Sequence, residues 1–126
     1  MTPERNLTQS PFPRRVALSD ALPLIAAGKT GALPSAAVFE HGSLQVKLYM
    51  PRGQDRQTPH VRDELYVVAA GSGMFSNGIS RHPFGPGDVL FVPAGAEHRF
   101  EEFSDDLLVW VVFYGPEGGE RPGDRP

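Results

Sequence analysis

The sequence predicts an all-β fold, an antiparallel double-sheet β-barrel with a short N-terminal helix and an extended N-terminal arm. Short segments rich in Val, Leu, Phe and Tyr follow one another from residue 36 to residue 115. Turns containing Gly, Pro, Asn or Asp separate these segments, and no helical stretch interrupts them. Strands joined by such short turns pair antiparallel and bury their apolar faces by closing into a barrel.

The two ends of the chain have the composition of segments that do not fold by themselves. Residues 1–17 contain Pro3, Pro11 and Pro13 among polar residues, which disfavours a helix and predicts an extended arm. Residues 116–126 contain Gly and Pro but no apolar side chain, which predicts a flexible or merely draped tail.

Residues 18–35 are predicted to hold the helix and its connection to the barrel. Ser19 and Asp20 are N-cap candidates and Gly28 is a typical terminator, so a helix of about two turns should lie between them. Its apolar side chains would face the body of the protein and cap one end of the core: Leu18, Leu22 and Ile25.

The barrel is predicted to occupy residues 36–115 and to begin with strands at 36–40 and 43–50. The second strand alternates between two sets of side chains, Leu44, Val46, Leu48 and Met50 against Gln45, Lys47 and Tyr49. We expect the apolar set to line the barrel, which would leave the other set in solvent or at an interface.

Six further strands complete a predicted set of eight. They occupy residues 64–70, 73–76, 79–84, 89–92, 98–103 and 107–114. Asn77-Gly78 between two of them is the usual sequence of a type I′ hairpin turn.

Composition and charge narrow the classes of function. The chain has no Cys, so disulfides and thiolate metal sites are excluded and any metal must be held by His and carboxylate. The net charge of −3, with no cluster of Lys or Arg, argues against nucleic acid as a partner. No apolar run approaches the length of a signal peptide core or a membrane span. We therefore expect a cytoplasmic protein whose partner is a small molecule.

Two stretches concentrate residues that can bind a metal. In the first, His60 and Glu64 lie four residues apart at the entry to an apolar, β-branched strand. In the second, Pro93 and Gly95 form a corner between a short apolar strand and the strand that begins at His98. Strands joined this tightly bring His98 back beside the preceding sheet. A His–Glu pair alone is also common as a surface hydrogen-bonded pair, so the second stretch is needed to identify a site.

At these spacings the two stretches resemble the paired motifs of the cupin superfamily, in its small single-domain bacterial form. The family's second motif, G-x5-P-x-G-x2-H-x3-N, begins at Gly87 and is broken only at Glu102, where the family has Asn. Its first motif ends in H-x3-E-x6-G, which His60, Glu64 and Gly71 match. Two features of that motif are degraded: Thr58 replaces an earlier His, and the leading Gly is displaced by one residue to Gly53.

The resemblance implies a jelly-roll barrel with one divalent metal ion, Fe, Mn, Ni or Zn, bound by His60, Glu64 and His98. Because Thr58 replaces the family's other His, the next coordination position has three candidates: the amide oxygen of Gln57, His41, or water. His41 can equally be an exposed loop residue, and we expect His82, in the outer hairpin, at the surface.

Strand alternation predicts which side chains share the interior with these ligands. If Glu64 and His98 point inward, the following residues should do so as well: Tyr66, Val68, Phe100, Glu102 and, from the last strand, Trp110. Tyr66 and Glu102 are therefore the candidate catalytic residues, as acid and base on a metal-bound substrate. Glu102 can instead lie at the far end of the barrel, paired with an arginine.

These features predict a mononuclear metalloenzyme that acts on a small organic substrate by dioxygenase-type or isomerase-type chemistry. A mostly apolar interior favours an aromatic or enolisable carbonyl compound over a phosphorylated sugar. Two alternatives stay open: a non-catalytic cupin that binds or senses a small ligand, and a metal-free barrel with a hydrogen-bonded His–Glu–His cluster. Open strand edges and the arm also predict a homodimer in which residues 1–17 cross to the partner.

Overall fold

The computed structural model describes residues 14–26, 34–55 and 57–121. Within these residues one helix, α1 (Leu18–Ala26), precedes eight strands. The strands are β1 (Ser35–His41), β2 (Leu44–Tyr49), β3 (Asp63–Ala70), β4 (Gly73–Asn77), β5 (Ser80–Phe84), β6 (Val89–Val92), β7 (His98–Glu101) and β8 (Leu108–Tyr114). The predicted all-β fold class is confirmed.

The strands form two antiparallel sheets that face each other. One sheet has five strands in the order β1-β2-β8-β3-β6, and the other has three in the order β5-β4-β7. Large side chains from both sheets fill the space between them, including Tyr66, Phe75, Phe84, Phe100 and Phe113. The rings of Phe75 and Phe100, which are partners in the register of β4 and β7, lie 4.8 Å apart between centroids.

The second strand is turned the other way from our prediction. Tyr49 is buried in the cluster between the sheets, and Lys47 opposes Val111, another member of that cluster. Gln45, Lys47 and Tyr49 therefore line the interior, and the prediction that they face solvent or an interface was wrong. Alternation showed two different faces but could not show that the apolar face is covered from outside the barrel.

Helix α1 provides that outer cover. Ala21 and Ile25 pack with Leu48 of β2 in a second apolar cluster, on the outside of the five-stranded sheet. Leu18 and Leu22 pack against the same cluster, so these side chains face the body of the protein as predicted. The prediction that they cap one end of the core was wrong, because they cover the outside of the sheet. Trp110 also belongs to it, so the predicted place of Trp110 in the interior was wrong.

Two local predictions, the N-cap of the helix and the type of the hairpin turn, differ from the structure. The helix begins at Leu18, so Asp20 is not the N-cap but accepts a hydrogen bond from the amide of Ala17 at 3.1 Å, as the third residue of a capped first turn does. In the β4–β5 hairpin, the two loop residues are Gly78 and Ile79. Only Gly78 has a positive φ, 62°, which is the pattern of a type II′ turn and not the predicted type I′.

The segment after β8 lies against the barrel as far as it is described. The amide of Gly118 donates to the carbonyl of Val61 at 2.7 Å, and the amide of Glu120 donates to Asp63 at 2.8 Å. Residues 122–126 of the predicted tail and residues 1–13 of the predicted arm lie outside the described residues. No helix among the described residues is long and apolar enough to cross a membrane.

Candidate metal centre

Three segments bring the candidate ligands to one end of the barrel. His60 lies in the loop before β3, Glu64 is the second residue of β3, and His98 is the first residue of β7. The amide of Gly95 donates to the carbonyl of His60 at 2.7 Å, which ties that loop to the corner before β7. Gly95 has a φ of 81°, a left-handed conformation that favours glycine at this corner.

The three side chains converge on one point. The Nε2 atom of His98 lies 3.4 Å from Oε1 of Glu64, and the Nε2 atom of His60 lies 3.8 Å from the same oxygen. One potential ligand atom from each of the three residues lies within 4.8 Å of the others. Glu64 and His98 are buried and His60 is half-buried, so the site is open on the His60 side.

The geometry leaves polar atoms without partners where a cation would fit. Nδ1 of His98 donates to the carbonyl of Ala96 at 3.0 Å, so in the neutral imidazole it is Nε2 that carries the lone pair and faces Glu64. Within the described part of the chain, both carboxylate oxygens of Glu64 and Nε2 of His98 are buried without a hydrogen-bond partner. A lone pair that faces a carboxylate is unfavourable unless a proton or a cation lies between them.

The pKa values of the site respond to the same burial. Removal from water raises the pKa of Glu64 from 4.5 to about 8, because the charged carboxylate is poorly solvated there. The nearby hydroxyl of Tyr66 offsets part of this rise, but its hydrogen bond is directed to Gln57, so we assign Glu64 no hydrogen bond. Burial, followed by the charges of His98 and Lys47, lowers the pKa of His60 and keeps its imidazole neutral.

These residues fit a divalent metal ion. Two neutral imidazole nitrogens and one carboxylate are donors that Zn, Fe, Mn and Ni accept. Neighbouring donors on one metal at about 2.0–2.2 Å lie roughly 3–3.5 Å apart, close to the separations of 3.4 and 3.8 Å from Glu64. A bound cation would neutralise Glu64 and serve as the partner of the orphaned atoms.

Gln57 is positioned to offer a further donor. Its amide nitrogen faces the carboxylate of Asp55 at 3.3 Å, and a carboxylate can only accept a hydrogen bond, so the amide oxygen must point the other way. That oxygen accepts a hydrogen bond from the hydroxyl of Tyr66 at 3.0 Å and lies 3.4 Å from Nε2 of His60. An amide oxygen has two lone pairs, so one stays available to a metal.

The structure separates the two candidate catalytic residues. Tyr66 is fully buried beside Glu64 and Gln57, and its burial, followed by the charge of Glu64, raises the pKa of its phenol well above the usual range. The inward placement predicted for Glu102 was wrong. Strand β7 ends at Glu101, and Glu102 turns away with a φ of 49° and its side chain 75% exposed. Its carboxylate lies 3.4 Å from Arg81, the arginine pairing we had kept as the alternative.

The two other histidines lie apart from the three candidate ligands. His41 is exposed at the end of β1, in agreement with the exposed alternative. His82 is half-buried, with its ring centroid 6.1 Å from that of Phe75. Neither belongs to the cluster of potential metal ligands among the described residues.

Asp55 and Lys47 are parts of the site that the sequence analysis missed. Asp55 is buried and accepts hydrogen bonds from Tyr49, from the amide of Phe100 and from Gln57. It comes from a polar loop in which no local pattern distinguishes it. For Lys47 a signal was present, because it shares a strand face with Tyr49, whose ring is a natural core residue.

Comparisons with known proteins give a consistent picture. The profile of the family described as "Cupin domain" matches residues 46–114, more than half of the chain. An uncharacterized protein of Streptomyces coelicolor, SCO3923, is 43% identical over 63 residues, which are 50% of this chain and 60% of that protein. The chain thus spans less than two thirds of the length of this relative.

Two solved structures are similar in fold. The crystal structure of TT1209 from Thermus thermophilus is 26% identical with a TM-score of 0.56, and the match covers 70% of this chain and 89% of that one. A crystal structure of the DMSP lyases RdDddP and RnDddQII is 28% identical with a TM-score of 0.50, covering 69% of this chain and 44% of that one.

Proposed function

For this chain, which belongs to the cupin family, we propose a mononuclear metal site in which His60, Glu64 and His98 bind one divalent ion. The observation that carries the proposal is the buried, unpartnered state of both Glu64 oxygens and of His98 Nε2. An unpaired buried carboxylate costs free energy, and a hydrogen-bonded structural cluster would have paired these atoms with each other. A bound metal ion would remove this cost.

Gln57 is our candidate for the next ligand, in place of the His that Thr58 replaces. Asp55 and Tyr66 hold its amide with the oxygen toward His60, so no rearrangement of the side chain is needed. A metal bound by these residues would keep open positions and would polarise a substrate carbonyl as a Lewis acid. The substrate would reach the metal from the His60 side, where the site is open.

The reaction class we propose is proton transfer next to a carbonyl, as in isomerases and lyases. Tyr66 keeps its proton at neutral pH, so it can act as a hydrogen-bond donor or acid. The proton removed from the carbon beside the carbonyl would pass to a water molecule that enters from the open His60 side. The likeness to a structure of DMSP lyases supports this class. Dioxygenase-type chemistry and non-catalytic binding of a small ligand are the two rival functions, and the assay below separates them.

Metal analysis of protein made without a histidine tag tests the site itself. After removal of metal with a chelator and reloading, we expect about one ion per chain in the wild type and almost none in a His60→Ala/His98→Ala variant. A His41→Ala/His82→Ala variant, which lacks the two other histidines, is the matched control and should bind metal normally. Stoichiometric metal in the first variant would rule out this site.

Turnover is tested on the protein loaded anaerobically with Fe(II). Keto acids, β-diketones and catechols are screened for a change in the spectrum of the metal, and compounds that bind are then assayed for solvent-deuterium exchange. Exchange without oxygen uptake is the expected result. Oxygen uptake after admission of air would favour the dioxygenase, and binding without either reaction would favour a sensing role.

We also propose that the protein is a homodimer that pairs through the open part of the five-stranded sheet. Away from helix α1, the outer face of this sheet is apolar: Leu65, Val67, Val112 and the exposed Val89 and Phe91. Val89 is 62% exposed and Phe91 is 48% exposed. Asp63 shares this strand face but is buried and hydrogen-bonded to the amides of Ala94 and Glu120, so the exposed apolar part can meet its own copy across a twofold axis without charge repulsion.

Light scattering tests the dimer. Phe91→Asp should produce a monomer, whereas Ile79→Asp, at the fully exposed hairpin tip, should leave the dimer unchanged. Removal of residues 1–13 tests the predicted crossing of the arm and should weaken the dimer. A wild-type protein that stays monomeric at high concentration would contradict the proposal.

A further inference from the structure

Lys47 is a cation on the inward face of the barrel. Its neighbour on the same strand face, Tyr49, is buried between the sheets, and its partner in the register, Val111, is buried there as well. The ammonium group is close enough to the metal site to lower the pKa of both His60 and Glu64. Lys47 is itself half-buried. A lysine placed inward in this way has lost part of its hydration.

No acidic group neutralises this lysine within the described part of the chain. Neither Lys47 nor Arg62 has a carboxylate within ion-pair distance among residues 14–26, 34–55 and 57–121. Glu64 is within electrostatic range of Lys47 but not in contact with it. In a protein with a net charge of −3, an unpaired and partly desolvated cation is an unusual feature that calls for an anionic partner.

Lys47 and His60 line the same cavity. This cavity of about 240 Å³ is bounded by Gln45, Lys47, His60, Val61, Arg62 and Phe113, two cations and no acid. Arg62 donates a hydrogen bond to the carbonyl of Ser43, which holds it in the wall of this cavity, and its guanidinium carbon lies 5.5 Å from the centre of the Phe113 ring. The ring of Phe113 in turn packs edge-on against His60 at 4.9 Å. The cavity therefore places the two cations beside His60, the one proposed metal ligand in its wall.

We propose that the substrate is a small carboxylate whose anionic group is held by Lys47, with Arg62 nearby, while its reactive end reaches the metal beside His60. The inference rests on the proposed metal site, and it narrows the aromatic or enolisable carbonyl compound that the sequence favoured to one that carries a carboxylate. Lys47 is the specificity-determining residue. The volume of the cavity is below that of pockets for drug-sized ligands, about 300–1,000 Å³, so the substrate must be compact.

Paired probes that differ only in charge test the inference. We would load the protein with Co(II), measure the bound metal, and titrate 2-oxobutanoate and its methyl ester by calorimetry. The wild type should bind the acid at least about tenfold more tightly than the ester. Lys47→Met should lose this preference by weakening the acid alone, and Lys47→Arg should retain most of it.

Arg99→Met is the matched control. Arg99 is an exposed cation that lines a separate cavity, on the other side of His98, and its loss should leave both affinities unchanged. The proposal is overturned if the acid shows no preference or no binding at millimolar concentration, if the preference survives in Lys47→Met, or if it is Arg99→Met that removes it.

The measured cobalt separates this inference from the proposed metal site. If Lys47→Met binds cobalt like the wild type but keeps the acid preference, the inference fails and the metal site stands. If no variant binds cobalt, the proposed site fails, and the same titrations on the metal-free protein decide whether Lys47 selects a carboxylate.

Discussion

Asp55 and Glu64 are two buried carboxylates in the same barrel, and they have opposite surroundings. Asp55 accepts hydrogen bonds from the hydroxyl of Tyr49 at 2.7 Å, from the amide of Phe100 at 2.8 Å, and from two nitrogens of Gln57. Glu64 accepts none from the described residues. Both are almost completely buried, at 2% and 0% exposure.

This difference separates a carboxylate that stabilises the fold from one that the described residues leave without a hydrogen-bond partner. Hydrogen bonds from neutral donors compensate Asp55 for its lost hydration, so it can link the loop before β3 to strand β7. Glu64 has no such compensation, and its pKa is raised to about 8. If only contacts within the protein stabilise the fold, replacing Glu64 should raise the free energy of unfolding and replacing Asp55 should lower it.

The largest expected effect is on stability, in Asp55→Ala. The substitution leaves a buried hydroxyl and buried amide groups without an acceptor, so the free energy of unfolding should fall by about 3–5 kcal/mol. Urea denaturation with and without metal measures this loss. Asp105→Ala, in an exposed turn, should change stability by less than about 0.5 kcal/mol. If the free energy of unfolding falls equally little in both variants, the hydrogen bonds of Asp55 do not stabilise the fold.

The next effect is on metal affinity, in Glu64→Gln. Loss of the only anionic ligand should weaken metal binding at least about a hundredfold, or about 2.7 kcal/mol, while the metal-free protein keeps or gains stability. Glu97→Gln, an exposed glutamate beside His98 in sequence, is the control and should bind metal normally. A large loss of stability in metal-free Glu64→Gln would mean that Glu64 has a structural role like that of Asp55.

A pH dependence of the metal-free protein comes next. Between pH 4.5 and about 8 the folded state keeps the Glu64 proton that the unfolded chain has lost, so this group makes stability fall as pH rises. The slope can reach about 1.4 kcal/mol per pH unit. His60, with its lowered pKa, acts in the opposite direction below pH 6.5, where only the unfolded chain is protonated.

The readout is therefore the difference between wild type and Glu64→Gln in denaturation curves measured across that pH range. The variant lacks the Glu64 proton but keeps His60, so the difference isolates the carboxyl group. If the free energies of unfolding of the two proteins differ by the same amount at every pH, Glu64 does not have a raised pKa in the folded state.

The smallest predicted effect is in Tyr66→Phe. Without the hydroxyl, the amide of Gln57 is held only from the Asp55 side, and metal affinity should fall about tenfold. The metal-free stability should fall by about 1 kcal/mol because one buried hydrogen bond is lost. A purely structural role of Tyr66 would reproduce the loss of stability but leave the affinity of the folded protein for metal unchanged. If the oxygen of Gln57 is a metal ligand, Gln57→Glu keeps an oxygen donor at that position and should bind metal at least as well as the wild type.

Much of the candidate site could be read from the sequence because its spacing is local. His60 and Glu64 lie at the entry of one strand. His98 follows a tight corner that leads from β6, at the edge of the five-stranded sheet, to β7 in the opposite sheet, where it faces Glu64. Glu102 was misplaced for a related reason. Alternation holds only while a strand continues. The prediction assumed that β7 includes Glu102, but the strand ends at Glu101.

The eight short strands and the helix before them could be predicted from the sequence alone, since turn residues and alternation act between near neighbours in the chain. The meeting of the two histidines and the glutamate was expected from the resemblance to the cupin motifs. Which face of β2 lies inside depends on the packing of the whole protein. Both faces of that strand are covered, one by helix α1 and one by the opposite sheet, so hydrophobicity no longer distinguishes inside from outside. The placement of Lys47 beside His60, and of Asp55 against the buried face of β7, depends on contacts between residues far apart in the chain, which local pattern does not encode.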